Sequence, residues 1–457
     1  MTKVLVICSS FPPINATAIH RTLALVRRLA KRNYDVLILT MSPGKGLDID
    51  NKLLEKVPEN VRILRFSNIE IVERFKKLLL MRSNRESLIG KIDSPKPFSE
   101  DSQISRSPDS SLGIVDQIKD WLGQWMQFPD NRIGWCVNSA LKGFKQVWSF
   151  RPDMIYSSAP MWSCHVLGLL FSRLLGRCWV ADCRDPWRAN PYRMFRYRSH
   201  NWMDASLERA MVKHASAVIC NTLGVRRDFC DRYPGLIWKF FTVTNGYDAT
   251  VIKALSNDNY SRNGICRLVH AGSFYGHRNP EPYLQALAGV VKDRPALRSR
   301  LRFKQVGQDH YEGVKLSEIA DRYGVADMLE LTGPLGHWQA LQEIRRGDVA
   351  VAASQDGKNC DLQIPRKFYE YFGMQKAMLI TGGCCKAIDE LPGNWRDSIG
   401  IWLVPQTNGN LLASAIIDIY EKWQQGLLIN PSLPKVDLTE DRMARQIESI
   451  MQMAIEM

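Results

Sequence analysis

Short uninterrupted apolar blocks alternate along this chain with longer stretches in which apolar residues recur every three or four positions. The first block follows Lys3 and runs Val-Leu-Val-Ile-Cys8, the pattern of a strand buried on both faces. Ala18–Arg32 carries Leu23, Leu25, Val26 and Leu29 at helical spacing, and Asp35–Thr40 and Val61–Phe66 predict two more strands. Further strands are predicted at Asp153–Ser158, Cys178–Asp182, Ala217–Cys220 and Phe241–Thr244, with a helix from about Cys164 to Leu175. Residues 93–111 break the rhythm with Ser, Pro and Asp, as a disordered insertion would, and order resumes near Ile114 with Trp121, Leu122 and Trp125. After the turn Asn245-Gly246-Tyr247-Asp248 the alternation restarts at Arg267–His270. It continues through Leu301–Val306, Leu329–Leu331, Val349–Ala352 and Met378–Ile380.

This β-α-β rhythm implies parallel sheets covered by helices on both faces, with ligands at the carboxyl ends of the strands. Two such runs meeting near residue 250 predict an α/β chain of two Rossmann-like domains. The division is 1–248, 249–435 and a final helical piece, 436–457, that crosses back to the first domain. At 457 residues the length suits two to three domains.

Composition narrows the classes. No run of about twenty apolar residues occurs, and the nearest, His165 to Ala181, is broken by Arg173 and Arg177. The N-terminus reads as a strand and not as a signal peptide, so a cytoplasmic location is expected. Eleven cysteines without a C-x-x-C pair or a Cys/His spacing predict neither disulfides nor a structural metal. A net charge of +14 calls for an anionic partner, and no zinc finger, RRM signature or lysine-rich tail points to nucleic acid. Between residues 74 and 91, Arg74, Lys76, Lys77, Arg82, Arg85 and Lys91 are interleaved with Phe75, Leu78, Leu79, Leu80 and Met81. That pattern fits a helix on an anionic membrane surface, or a solvated helix packing its leucines on the domain.

The richest chemistry lies in Asp361-Leu-Gln-Ile-Pro-Arg-Lys-Phe-Tyr-Glu-Tyr-Phe-Gly373. Pro365 is suited to the first position of a helix, and Lys367 and Glu370 then share one side of its first turns. A helix N-terminus with a lysine beside it makes a cradle for a diphosphate, and a glutamate one turn later can hold the hydroxyls of a ribose. The plain alternative is an amphipathic helix with an Arg366–Glu370 surface pair.

This stretch resembles the donor-binding helix of retaining glycosyltransferases of family four, which have the GT-B fold of two Rossmann-like domains facing across a cleft. Other segments resemble the family in the same order. Phe11-Pro12-Pro13 follows the first strand, and Ser157-Ser158-Ala159-Pro160 with His165 follows the fourth. Arg184-Asp185-Pro186-Trp187 ends the fifth, where a charged pair and an aromatic wall are expected. Glu208 in Leu207-Glu208-Arg209-Ala210 and the interdomain turn Asn245–Asp248 also match. In the second domain Gly272 opens a loop in which Ser273 replaces the family's arginine and Arg278 stands near the place of its lysine. Gly307 ends the next strand, and Gly333 a later one. The family's paired glutamates are eight apart; Glu370 supplies the second, but Leu362 stands at the first.

The resemblance implies transfer of a sugar, with retention, from a nucleotide-diphosphate donor to a glycan or lipid-linked hydroxyl acceptor, in bacterial surface polysaccharide or glycolipid synthesis at the inner face of the plasma membrane. It needs no metal and no cofactor besides the donor. Gly272, Arg278, Gly307, Pro365, Lys367 and Glu370 would hold the donor, and Asp185, Arg184 and His165 would serve catalysis. The alternatives are a nucleotide-sugar 2-epimerase and a degenerate binding or scaffold protein.

Overall fold

A computed structural model describes residues 1–44, 46–69, 125–191, 193, 195, 197–255, 264–276, 278–405, 408–429 and 431–456. The basic stretch 74–91 and the insertion 93–111 lie outside them. The chain divides into two compact units, Met1–Asn221 with Val225–Val243 and Met443–Met457, and Thr222–Gly224 with Thr244–Arg442.

Among the described residues the first unit has seven strands: β1 (Lys3–Cys8), β2 (Asp35–Met41), β3 (Arg62–Phe66), β4 (Met154–Ala159), β5 (Cys178–Cys183), β6 (Ala217–Cys220) and β7 (Phe240–Thr242). They lie in the order β3-β2-β1-β4-β5-β6-β7, every pair parallel. Val4 pairs with Val36 on one side and Met154 on the other, and Val4 to Ile7 are fully buried. Continuous apolar strands of this kind require helices on both faces. Strand order reverses between β1 and β4, so the loops after these two strands part there, the place where open α/β sheets bind ligands. Gly168, on the helix Ser163–Leu175, lets the Trp179 indole of β5 lie against the helix; a Cβ there would collide with it. The last helix, Glu440–Glu456, belongs partly to this unit. Met443, Ile447 and Met451 join the core with Val4, Val26 and Ile38, and Arg28 Nε meets Glu448 Oε2 at 2.5 Å.

The second unit carries β8 (Cys266–Ala271), β9 (Leu301–Val306), a hairpin of β10 (His310–Tyr311) and β11 (Val314–Lys315), then β12 (Leu329–Leu331), β13 (Val349–Ala353), β14 (Ala377–Thr381) and β15 (Ile401–Val404). The parallel sheet runs β12-β9-β8-β13-β14-β15. Period-2 alternation divides its side chains between two cores. Leu268, Ala377 and Leu379 pack with the helices Glu281–Asp293 and Gly409–Gln424, whereas Val269, Met378 and Ile380 pack with the helices His337–Arg346 and Arg366–Gly373. Gly246 lies so close to Thr439 that a Cβ would strike its carbonyl, and Tyr247 exchanges backbone hydrogen bonds with Leu438 and Glu440. Among the described residues, no helix is long and apolar enough to cross a membrane.

Candidate functional site

In the second unit three strand ends converge through glycines. Gly272, after β8, has φ +131° and donates to Val306 O at 2.7 Å; Gly307, after β9, has φ +137° and donates to Gly333 O at 3.0 Å. L side chains rarely adopt these angles, and a Cβ on Gly307 would run into the Gly272 carbonyl. Lys367 arrives from the helix Arg366–Gly373 and lays its Nζ against Gly272, where a Cβ would collide with it. Pro365 stands one position earlier than expected: its φ −62°, ψ 140° make it the extended cap, and the helix begins at Arg366.

His270 registers the charge collected here. It is buried on β8, stacked on Phe274 at 4.2 Å, with Nδ1 2.8 Å from Gln305 Oε1. The Gln305 amide nitrogen donates to Gly272 O at 2.5 Å and Gln308 O at 3.1 Å, so Oε1 accepts and His270 Nδ1 carries the proton. Burial, then the charges of Lys367 and Arg278, push His270 down to about 3. Two cations from separate segments thus act on one strand end. The turn Tyr275–Arg278 sets the second of them, with its guanidinium over the Tyr275 ring at 4.8 Å.

Glu370 sits one helical turn beyond Lys367 and is 8% exposed. Burial would raise its pKa, but a hydrogen bond from His337 (Nε2–Oε1 3.1 Å) and the Arg366 guanidinium at 3.2 Å outweigh it and hold the carboxyl below its ordinary value. An ionised carboxylate here can accept from hydroxyl groups. The Arg366–Glu370 pair therefore exists, but it is largely buried. Sequence reading missed His337, although its place just past β12, four residues after Gly333, was a usable signal. It also missed Ser354, whose hydroxyl bonds Thr381 O at 2.9 Å and accepts from Cys384 N at 3.2 Å. Leu362 lies on the turn Cys360–Leu362, and neighbouring Asp361 is occupied by Lys386 at 2.7 Å.

In the first unit the helix after β1 and the strands β4 and β5 gather a second polar group. Arg21, on the helix Ile19–Lys31, grips Asp182 with Nε at 2.7 Å and Nη2 at 2.9 Å, and the Tyr156 hydroxyl donates to the same carboxylate. Asp182 is fully buried and Arg21 nearly so. Just past this anchor Arg184 and Asp185 come within 3.8 Å of each other, both only partly covered. Asp182 is therefore not Arg184's partner.

One expectation needs correction. Trp187 forms no exposed wall: it is buried, stacked on His165 at 5.8 Å, with Nε1 donating to Asp204 at 2.8 Å. His165 itself is 1% exposed, because Asp130 ties the start of its helix down through the Ser163 N–H and hydroxyl. Its Nδ1 lies 2.8 Å from Ser157 Oγ and its Nε2 3.7 Å from Cys183 Sγ, and burial pushes it down to about 4 despite the charge of Asp182. It packs as a buried ring against Trp187 of the 184–187 loop.

No family model matches the chain. It is 28% identical over 159 residues to a D-inositol 3-phosphate glycosyltransferase from Geodermatophilus obscurus, a match covering 33% of this chain and only 35% of that relative. Among solved structures it resembles sucrose-phosphate synthase from Thermosynechococcus elongatus, with a TM-score of 0.61 at 11% identity and full coverage of both chains. Anabaena Alr3699/HepE in complex with UDP gives 0.57 at 14% identity, covering 100% of this chain and 99% of that one. A putative UDP-N-acetylglucosamine 2-epimerase from Listeria monocytogenes gives 0.54 at 10%, covering 99% and 96%. With two parallel-sheet domains, the chain has the GT-B fold.

Proposed function

We propose that this protein is a glycosyltransferase that moves a sugar from a nucleotide-diphosphate donor to a hydroxyl acceptor with retention of configuration. The observation that carries the reading is the convergence of Lys367 and Arg278 on the β8 end at Gly272, with ionised Glu370 one turn away. The two cations and the start of the helix Arg366–Gly373 would neutralise the leaving diphosphate, whose charge grows as the glycosidic bond breaks. They can carry that neutralisation without a divalent ion. Glu370 would accept from the ribose hydroxyls, and Gly272 and Gly307 would let the backbone approach the donor. On the first unit, Arg184 and Asp185 would position the acceptor and the sugar.

The structures of Alr3699/HepE with UDP and with UDP-glucose support a uridine donor. The net charge of +14 supports an acceptor at an anionic membrane surface, as in glycolipid or surface polysaccharide synthesis. The test is a thermal-shift panel of UDP-, GDP-, ADP- and dTDP-sugars on the wild type and on Lys367→Ala. A ligand at a hundred times its dissociation constant stabilises by about 2.7 kcal/mol. A shift with one donor, lost in the variant, supports the reading, and no shift with any donor overturns it. The Listeria neighbour keeps a second reading in view, nucleotide-sugar epimerisation. Conversion of the donor with no acceptor present would establish that one instead.

A further inference from the structure

Three helices lie side by side on one face of the first unit's sheet: Ile133–Phe150 beside Ser163–Leu175, and Ser163–Leu175 beside Arg198–His214. Their inner sides are ordinary core. Their outer sides are unusual for a water-facing surface. On the first helix Val137, Leu141, Phe144 and Trp148 follow at intervals of four, three and four, a single stripe directed away from the buried Ser139, Gly143, Val147 and Phe150. Leu141 is 76% exposed and Trp148 53%. Leu170 and Leu174 continue the apolar surface on the second helix, and Trp202, 72% exposed, on the third.

The charges among these residues have one sign. Lys142 and Lys145 lie exposed to one side of the first stripe, Arg173 neighbours Leu174 on the second helix, and Arg209 and Lys213 share the face of Trp202 at helical spacing. None of the five is ion-paired among the described residues. The three helices contain just two acidic residues, Asp204 and Glu208, and both are turned inward. Asp204 is held by Arg193 and Trp187, and Glu208 by Arg232 and Tyr233. The cations lie close enough to act together: His214, at the corner of this face, is lowered by burial and then by Arg173, Lys213 and Lys239.

Scattered surface leucines need no explanation, but exposed apolar residues, indoles and cations gathered on three neighbouring helices with no outward carboxylate do. Indole rings settle at the headgroup level of a bilayer, aliphatic side chains enter just below it, and lysine and arginine are drawn to anionic headgroups. A protein partner or a second copy of this chain would have to offer a matching acidic, apolar face. Of the described helices Glu440–Glu456 is net acidic, but its Met443, Ile447, Ile450 and Met451 are already buried in the first unit's core. We propose that the outer face of these three helices docks the protein on an anionic lipid bilayer. The inference goes beyond the transferase reading without depending on it.

The experiment is co-sedimentation of the full-length protein with vesicles of phosphatidylcholine alone and with about a third phosphatidylglycerol, comparing wild type, Leu141→Glu/Trp148→Glu and Trp202→Glu. The wild type is expected to bind the anionic vesicles and not the neutral ones, and to be released by salt as a screened attraction must be. Each variant should bind at least tenfold more weakly, since burying even one such side chain is worth about that factor. These side chains project into solvent, so urea unfolding should stay unchanged and serve as the folding control. Three outcomes would overturn the proposal. The first is no wild-type binding, and the second is binding that the variants leave intact. The third is a face covered by protein, seen either as a dimer in sedimentation velocity that Leu141→Glu dissociates or as strong hydrogen-exchange protection of 137–148 lost when residues 70–124 are deleted.

Discussion

The contact between Gly272 and Lys367 ties a backbone constraint to the proposed donor grip. A Cβ at position 272 would overlap Lys367 Nζ, and at φ +131° the residue is strained whatever the space around it. Gly272→Ala should therefore displace the ammonium from the strand end where we propose the donor diphosphate binds. A charge-assisted hydrogen bond of this kind is worth about 1.5–3 kcal/mol, or roughly 10- to 150-fold in affinity. Lys367→Ala should lose that factor directly, and Gly272→Ala should lose a comparable one indirectly. Because both act through one group, the double variant should be little worse than the poorer single one, leaving a coupling of about 1 kcal/mol or more. Calorimetric titration of UDP into wild type, both single variants and the double variant measures this. Urea unfolding of each separates loss of affinity from loss of fold. The reasoning fails if Gly272→Ala binds like wild type, or if the two losses simply add.

Asp182→Asn should destabilise the first unit by about 3–5 kcal/mol, because it strips the charge facing a buried Arg21 whose two nitrogens lie 2.7 and 2.9 Å from the carboxylate. A change below about 1 kcal/mol in urea unfolding would show that the pair is not the anchor described. His165 and His270 are held near 4 and 3, below the ordinary histidine value, so as pH falls below about 6.5 the unfolded chain takes up protons that the folded one refuses. Their contribution is complete above that pH and declines toward pH 4. By pH 5 each should have cost about 2 kcal/mol at most. The stability advantage of wild type over His270→Asn should shrink by that amount between pH 7 and 5, and a constant difference would refute it. His337→Ala should weaken nucleotide binding and raise the pH at which binding is lost as Glu370 takes up its proton. A binding profile indistinguishable from wild type would remove His337 from the site.

Much of the site was legible because its parts are contiguous. Pro365, Lys367 and Glu370 occupy six residues whose helical spacing alone places cation and carboxylate on one side. The glycines at 272 and 307 stood at the ends of predicted strands, and both have backbone angles that glycine tolerates best. His337 and Arg21 were not legible as partners of Glu370 and Asp182. The first is 33 residues from its carboxylate and the second 161. No local period encodes such pairs.

The sequence by itself determined the strands, the helices and their alternation, since a period of two or 3.6 is a property of neighbouring residues and survives any docking. It thereby determined two parallel α/β sheets and where their loops lie. Strand order, and with it the parting of loops between β1 and β4, was decided by tertiary packing. So was the burial of His165 and Trp187, residues whose motif positions suggested exposure. The helix Ile133–Phe150 shows the division best. Its apolar residues nearly encircle it, so pattern alone cannot say which side meets the sheet. Close packing against β2 and β3 made that choice, and left Leu141 and Trp148 facing outward.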